Sequence, residues 1–173
     1  MDLLAELERR GRAATASPGT QVVAGREWVG VAFKLSGETY LVAREEVREV
    51  LGVPAPLTRV PGARRYVRGI ASVRGQILPV VDLRDYLGGG ESGDSRNARI
   101  IVANHRDIPA ALLVDEVMGF RRFSEADFSS DFPPAALSKA DYLAGSFPHL
   151  GQSTAVLSLR KLLEDPAFVA SAA

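Results

Sequence analysis

Apolar positions recur with a period of two along most of the chain. In the run VGVAFKL, Val29, Val31, Phe33 and Leu35 share one face while Gly30, Ala32 and Lys34 share the other. That alternation predicts a half-buried strand. Ser36-Gly37-Glu38 supplies turn chemistry, and residues 39–43 return as a second strand to make a hairpin. Residues 44–50 fit either one turn of helix or the start of a strand. Pro54 and Pro56 exclude a central strand position nearby, and residues 57–60 form a short strand ended by Pro61-Gly62.

The segment ILPVVDL (77–83) is apolar on both faces until Asp82, as in a strand covered on both sides. Asp82 is placed to cap a short helix beginning at Arg84. Gly88-Gly89-Gly90 through Asn97 reads as the clearest internal linker. Strands resume at 100–103, 110–114 and 117–123, with His105-Arg106-Asp107 as a turn. A long polar loop covers 124–140. A final pair at 142–148 and 154–159 precedes a helical turn over 160–165. At the other end, Leu3, Leu4 and Leu7 put an apolar stripe on a helix over 2–14, and 15–20 is a flexible connector. The halves echo each other: Phe33…Glu46-Val47 and Val102…Glu116-Val117. Short strands at regular spacing argue for small barrels over an open α/β sheet.

Composition narrows the function classes. Lys+Arg and Asp+Glu number 21 each, so no global charge draws the chain to nucleic acid or an anionic membrane. It has no cysteine, which excludes disulfides and thiolate chemistry. The start of the chain lacks the pattern of a secretory signal, and no apolar run is long enough for a membrane helix, so the cytoplasm is the expected location. The two histidines, His105 and His149, fall in turns and read as solvated loop residues, so no metal centre is expected. There is no G-x-S-x-G, Walker A or G-x-G-x-x-G pattern, and no catalytic residue or cofactor is expected. Glu45, Glu46 and Glu49 read as a solvated polar face. Arg64, Arg65, Arg68 and Arg74, with Tyr66 between them, keep a single-strand nucleic-acid barrel open as the alternative function. A protein partner fits the balanced charge better.

The segment VPGARRYVRGIASVRGQILPVVDLRDYLG (60–88) decides between these readings. With Val60-Pro61, Tyr66-Val67, Gly69, Ser72-Val73-Arg74-Gly75 and Pro79-Val80-Val81-Asp82-Leu83-Arg84, it resembles the CheW family of chemotaxis coupling proteins. The segments Val47-Arg48-Glu49-Val50, Leu112-Leu113-Val114-Asp115-Glu116-Val117 and Tyr142-Leu143-Ala144-Gly145 follow in family order. Ser72 stands where the family has Asn, and Arg99 stands where an apolar residue is usual. The segments at 44–47 and 128–137 look similar to the PilI-type subgroup of type IV pilus and twitching systems.

The resemblance implies a mainly β fold of two SH3-like five-stranded barrels sharing a core, with short N- and C-terminal helices. Its expected divisions are 1–26 for helix and connector, 27–165 for the CheW-like domain and 166–173 for a tail. Within the domain, 27–88 and 98–159 are the barrel-rich halves. It implies a non-catalytic adaptor between the cytoplasmic tip of a methyl-accepting chemoreceptor and the regulatory domain of a CheA-type histidine kinase. Neither nucleic acid nor direct membrane contact is implied. Val47, Glu49, Gly69, Arg74 and Val117 match partner-surface positions. Gly69 is expected to be exposed and to let a partner backbone approach. Arg74 is expected to pair with Glu49 or with a receptor carboxylate.

Overall fold

The structure is a computed structural model that describes residues 26–54, 57–93, 95–131 and 140–172. The expected helix over 2–14, its connector, Pro56 and residues 132–137 of the subgroup segment lie outside the described residues. Among the described residues, ten strands and three short helices follow in order. The strands of the first half are β1 (Glu27–Leu35), β2 (Glu38–Ala43), β3 (Val47–Gly52), β4 (Val67–Val73) and β5 (Gln76–Asp82). After α1 (Leu83–Tyr86) come β6 (Arg99–Ala103), β7 (Ala111–Val114), β8 (Glu116–Ser124), β9 (Leu143–His149) and β10 (Gln152–Leu157). The chain closes with α2 (Leu159–Leu163) and α3 (Pro166–Ala172).

The strands form two five-stranded sheets with orders β8-β1-β2-β10-β9 and β3-β6-β7-β5-β4. Each is rolled into a barrel whose edges meet through one bridge beyond the named strands. Thr58, after β3, pairs with Ile70 of β4, and Ser129, after β8, pairs with Ser146 of β9. Reading β1, β2, β8, β9 and β10 against β6, β7, β3, β4 and β5, the antiparallel and parallel pairings coincide one by one. The -EV- echo is therefore a true structural repeat.

The division at 88–98 does not separate the barrels. Each takes two strands from one half and three from the other, so the chain crosses between them after β2 and again after β7. Nor is 88–97 a free linker. Ser92 is buried, and its N–H and Oγ donate to the Asp82 carboxylate at 2.9 and 2.7 Å. The residues after 165 are no loose tail: α3 buries Phe168 edge-on against Tyr86.

Alternation in the central strands feeds two cores rather than a core and solvent. On β1, Val31, Phe33 and Leu35 enter an apolar core shared by the barrels, while Trp28 and Ala32 fill the first barrel's interior. On β6, Ile101 and Ala103 face the shared core, while Ile100 and Val102 fill the second barrel. The expectation of a half-buried first strand is corrected accordingly. The strand at 57–60 reduces to the single Thr58 bridge. The ambiguous 44–50 segment resolves into a 3-10 turn over Arg44–Glu46 followed by β3.

Asp82 caps α1 as its carboxylate accepts from the Asp85 N–H, and Ser158 does the same for α2 through the Lys161 N–H. Asp82 has no solvent exposure and is paired with Arg68 at 3.1 Å, so its charge is compensated where it is buried.

Close backbone approach fixes two glycines at the barrel seams. A Cβ on Gly145 would lie 2.2 Å from the Ser129 carbonyl oxygen. A Cβ on Gly69 would lie 2.8 Å from the Thr58 carbonyl oxygen, at a φ of +152° that side chains rarely adopt. Gly69→Val should therefore destabilise by about 1–3 kcal/mol in urea unfolding. Gly52→Ala, which meets open space, should stay within about 0.5 kcal/mol. Equal effects at the two sites would show that seam closure contributes nothing.

Candidate functional site

Both crossings between the barrels lead into a valine that opens or nearly opens the next strand: Val47 in β3 and Val117 in β8. The repeat brings these two side chains to one groove of about 460 Å³. Val31, Val47, Val50 and Val117 supply its apolar lining, and Arg44, Glu49 and Phe120 line it as well. Val47 and Val117 are half-buried and also pack against the shared core. Core packing and groove lining are thus two faces of the same side chains.

Arg74 joins the site through Glu49. The β4–β5 turn places Arg74 at φ +50° and Gly75 at φ +81°, the conformation that a tight two-residue hairpin demands. From there the Arg74 Nε–H lies 3.0 Å from both oxygens of Glu49. Beside it, Arg48 Nη1 donates to Gln76 Oε1 at 2.6 Å. Arg74 is largely exposed, so the pair contributes about 0–1 kcal/mol to stability. Its positional effect is to hold Glu49 at the groove edge.

Gly69 falls elsewhere. It is buried, not exposed, and the backbone that approaches it is the chain's own Thr58. The sequence reading also missed Phe120, which is 62% exposed at the groove, and Arg44, whose guanidinium carbon sits 5.9 Å from the Phe120 ring centroid. The signal was present in Gly119-Phe120-Arg121-Arg122, where an aromatic residue stands among strand positions that otherwise read as polar.

The clustered glutamates have separate tasks. Glu46 accepts from the Leu159 and Arg160 N–H groups at 3.2 and 2.9 Å, at the start of α2. Glu49 holds Arg74, and Glu45 is exposed beside the groove. The basic cluster is likewise divided. Arg65 forms two bonds to Asp85, at 2.6 and 3.0 Å, and these raise the guanidinium pKa. Arg68 pairs with Asp82, and Arg74 with Glu49. Three of the four arginines lie on different carboxylates rather than along one track, which removes the support for a single-strand binding surface.

His105 is tied down, contrary to its reading as a solvated loop residue. Its Nδ1 accepts from the Asp107 and Ile108 N–H groups. The neutral ring's proton is then on Nε2, which donates to Glu164 at 2.9 Å. That bond holds the Glu164 carboxyl below the usual carboxylate range. His149 lies edge-on to Phe123. Among the described residues, no group of three or more His, Asp or Glu side chains converges as a metal site would need, and no helix is long and apolar enough to cross a membrane.

The arrangement offers two barrels and a junction groove lined by apolar and charged side chains, a shape suited to contact with another surface. Comparison with known proteins points the same way. Protein PilI of Pseudomonas aeruginosa is 34% identical over 167 residues, 96% of this chain and 93% of that one. Protein FrzA of Myxococcus xanthus is 33% identical over 71% of this chain and 77% of its own length. Chemotaxis protein CheW of Bacillus subtilis is 32% identical over 58% of this chain and 64% of its own. Among solved structures, the scaffolding protein TtCheW from Thermoanaerobacter tengcongensis superposes with a TM-score of 0.69 at 27% identity, covering 80% of this chain and 94% of that one. The CheW-like domain matches residues 29–167. With that match spanning most of the sequence and both barrels in place, the chain belongs to the CheW-like domain family, the scaffold proteins of chemotaxis-type signalling.

Proposed function

We propose that this protein is a non-catalytic coupling protein of the cytoplasm. It joins the cytoplasmic tip of a methyl-accepting chemoreceptor to the regulatory domain of a CheA-type histidine kinase. Its similarity to PilI along 96% of the chain favours a system that controls type IV pili and twitching. The observation that carries the reading is the groove where Val47 and Val117 meet at the two crossings. An apolar trough rimmed by charge fits an amphipathic helix, whose apolar stripe would lie on the valines. We assign the receptor to this groove and leave the barrel exteriors to the kinase domain. Because the chain crosses twice between the barrels, the two surfaces are held on one body, as a coupler requires.

The test is retention of each partner by the immobilised protein. A receptor cytoplasmic fragment and a kinase regulatory domain from the same chemosensory system should each be captured alone. Capture of neither would overturn the proposal. Arg74→Ala should leave stability within about 1 kcal/mol of wild type. It should also weaken capture of at least one partner several-fold, because Glu49 then loses the cation that fixes it. Unchanged capture of both would remove Arg74 from the interface.

A further inference from the structure

Several charged side chains around the groove have polar partners within the fold, and Arg44 differs from them. Glu49 is held by Arg74, Arg48 is bonded to Gln76, and Glu46 is turned toward the start of α2. Arg44 is exposed and makes no ion pair among the described residues. It rests on the face of Phe120, which is itself exposed. The other crossing shows the contrast. There the Asp115 carboxylate accepts from the Ser36 N–H at 2.9 Å and lies 3.6 Å from Arg84. At the groove, Arg44 therefore presents a guanidinium that, among the described residues, meets an aromatic ring and no carboxylate.

We propose that Arg44 is the specificity-determining residue of the groove, selecting a partner helix that carries a carboxylate beside its apolar stripe. This rests on the reading of the groove as the receptor-docking surface. A helix that covers Phe120 takes water away from the guanidinium lying on that ring. An uncompensated cation in that position disfavours binding, whereas a carboxylate can accept two parallel N–H bonds from the planar fork. The groove then rejects helices that match the valines but lack the acid, which is selection by penalty as much as by attraction. The ring keeps Arg44 positioned before the partner arrives.

The experiment is calorimetric titration of the full-length protein with the receptor cytoplasmic fragment, at low salt and at higher salt. Arg44→Gln should weaken binding about ten-fold and Arg44→Glu about a hundred-fold, and both should flatten the salt dependence. Capture of the kinase domain and the Tm should not change, since Arg44 is exposed and unpaired by carboxylate. If Arg44→Glu binds like wild type while Val117→Asp abolishes binding, the selective role is overturned and the docking groove stands. If Val117→Asp also binds like wild type, the groove assignment itself falls, and this inference falls with it.

Discussion

Trp28→Ala should lower the free energy of unfolding by about 3–5 kcal/mol, read as a drop in urea midpoint at unchanged slope. Trp28 is fully buried inside the first barrel. Its ring lies 4.7 Å from Phe147 and 6.2 Å from Phe123, centroid to centroid. Truncation removes apolar area and leaves a cavity that its neighbours are poorly placed to fill. The ring lies over Gly30, where a Cβ would come within 2.4 Å of it, so no side chain there can move in. The indole Nε1–H has no hydrogen-bond partner among the described residues. Trp28→Phe should therefore cost less than the lost volume suggests, because it also removes an unpaired buried donor. Leu150→Ala makes the control. Leu150 is 90% exposed at the β9–β10 turn and should change stability by no more than about 0.5 kcal/mol. A Trp28→Ala cost below about 1 kcal/mol would show that the first barrel has no tightly packed interior.

Val117→Asp should reduce receptor-fragment affinity at least a hundred-fold, the largest effect expected of any groove substitution. A carboxylate at this position faces Val47 and Val31 and has to shed water when a helix covers it. Val117 also touches the shared core, so some loss of stability accompanies the change. Phe120→Ala separates the two effects. Phe120 is 62% exposed, so its truncation should leave the Tm close to wild type while still weakening capture. Loss of capture in Val117→Asp combined with wild-type capture in Phe120→Ala would confine the docking surface to the valine side. Wild-type capture in both would place the receptor elsewhere.

The strands were largely legible from period-two alternation, and the hairpin turns from their glycines. The Asp82 cap was legible because a short acidic side chain at the end of a strand has an obvious use at the next helix start. Burial on both faces was legible at the end of β5, where Val80 and Val81 are both buried, but not in β1, β6 or β7. In RIIVA and ALLV alternate residues enter different cores, and a run that is apolar throughout carries no sign of which face meets which core. The strand β4 is weakly marked in sequence although Val67, Gly69, Ala71 and Val73 alternate, because a glycine and flanking arginines interrupt its apolar pattern. The exchange of strands between halves depends on pairings far apart in sequence, and no local signal specifies them.

At the site, the repeat supplied the most. Glu46-Val47 and Glu116-Val117 echo each other in sequence, and the structure places each valine just after a crossing, with the groove between them. A stronger echo joins two helix starts. VVDLRDYL at 80–87 and VLSLRKLL at 156–163 each end a strand, cap a helix with a short polar side chain and turn into the shared core. Gly69 was misplaced because a glycine that the chain's own backbone crowds looks, in sequence, like one awaiting a partner. Arg44 and Phe120 meet only in three dimensions, one from the 3-10 turn after β2 and the other from β8.

The most direct test mixes the receptor fragment, the kinase regulatory domain and the full-length protein, and follows all three by size-exclusion chromatography. A coupler predicts one early-eluting species that holds both partners, with kinase domain and receptor fragment eluting apart when this protein is omitted. If the two partners co-elute equally well without it, or if each binds it only by displacing the other, the protein does not bridge them.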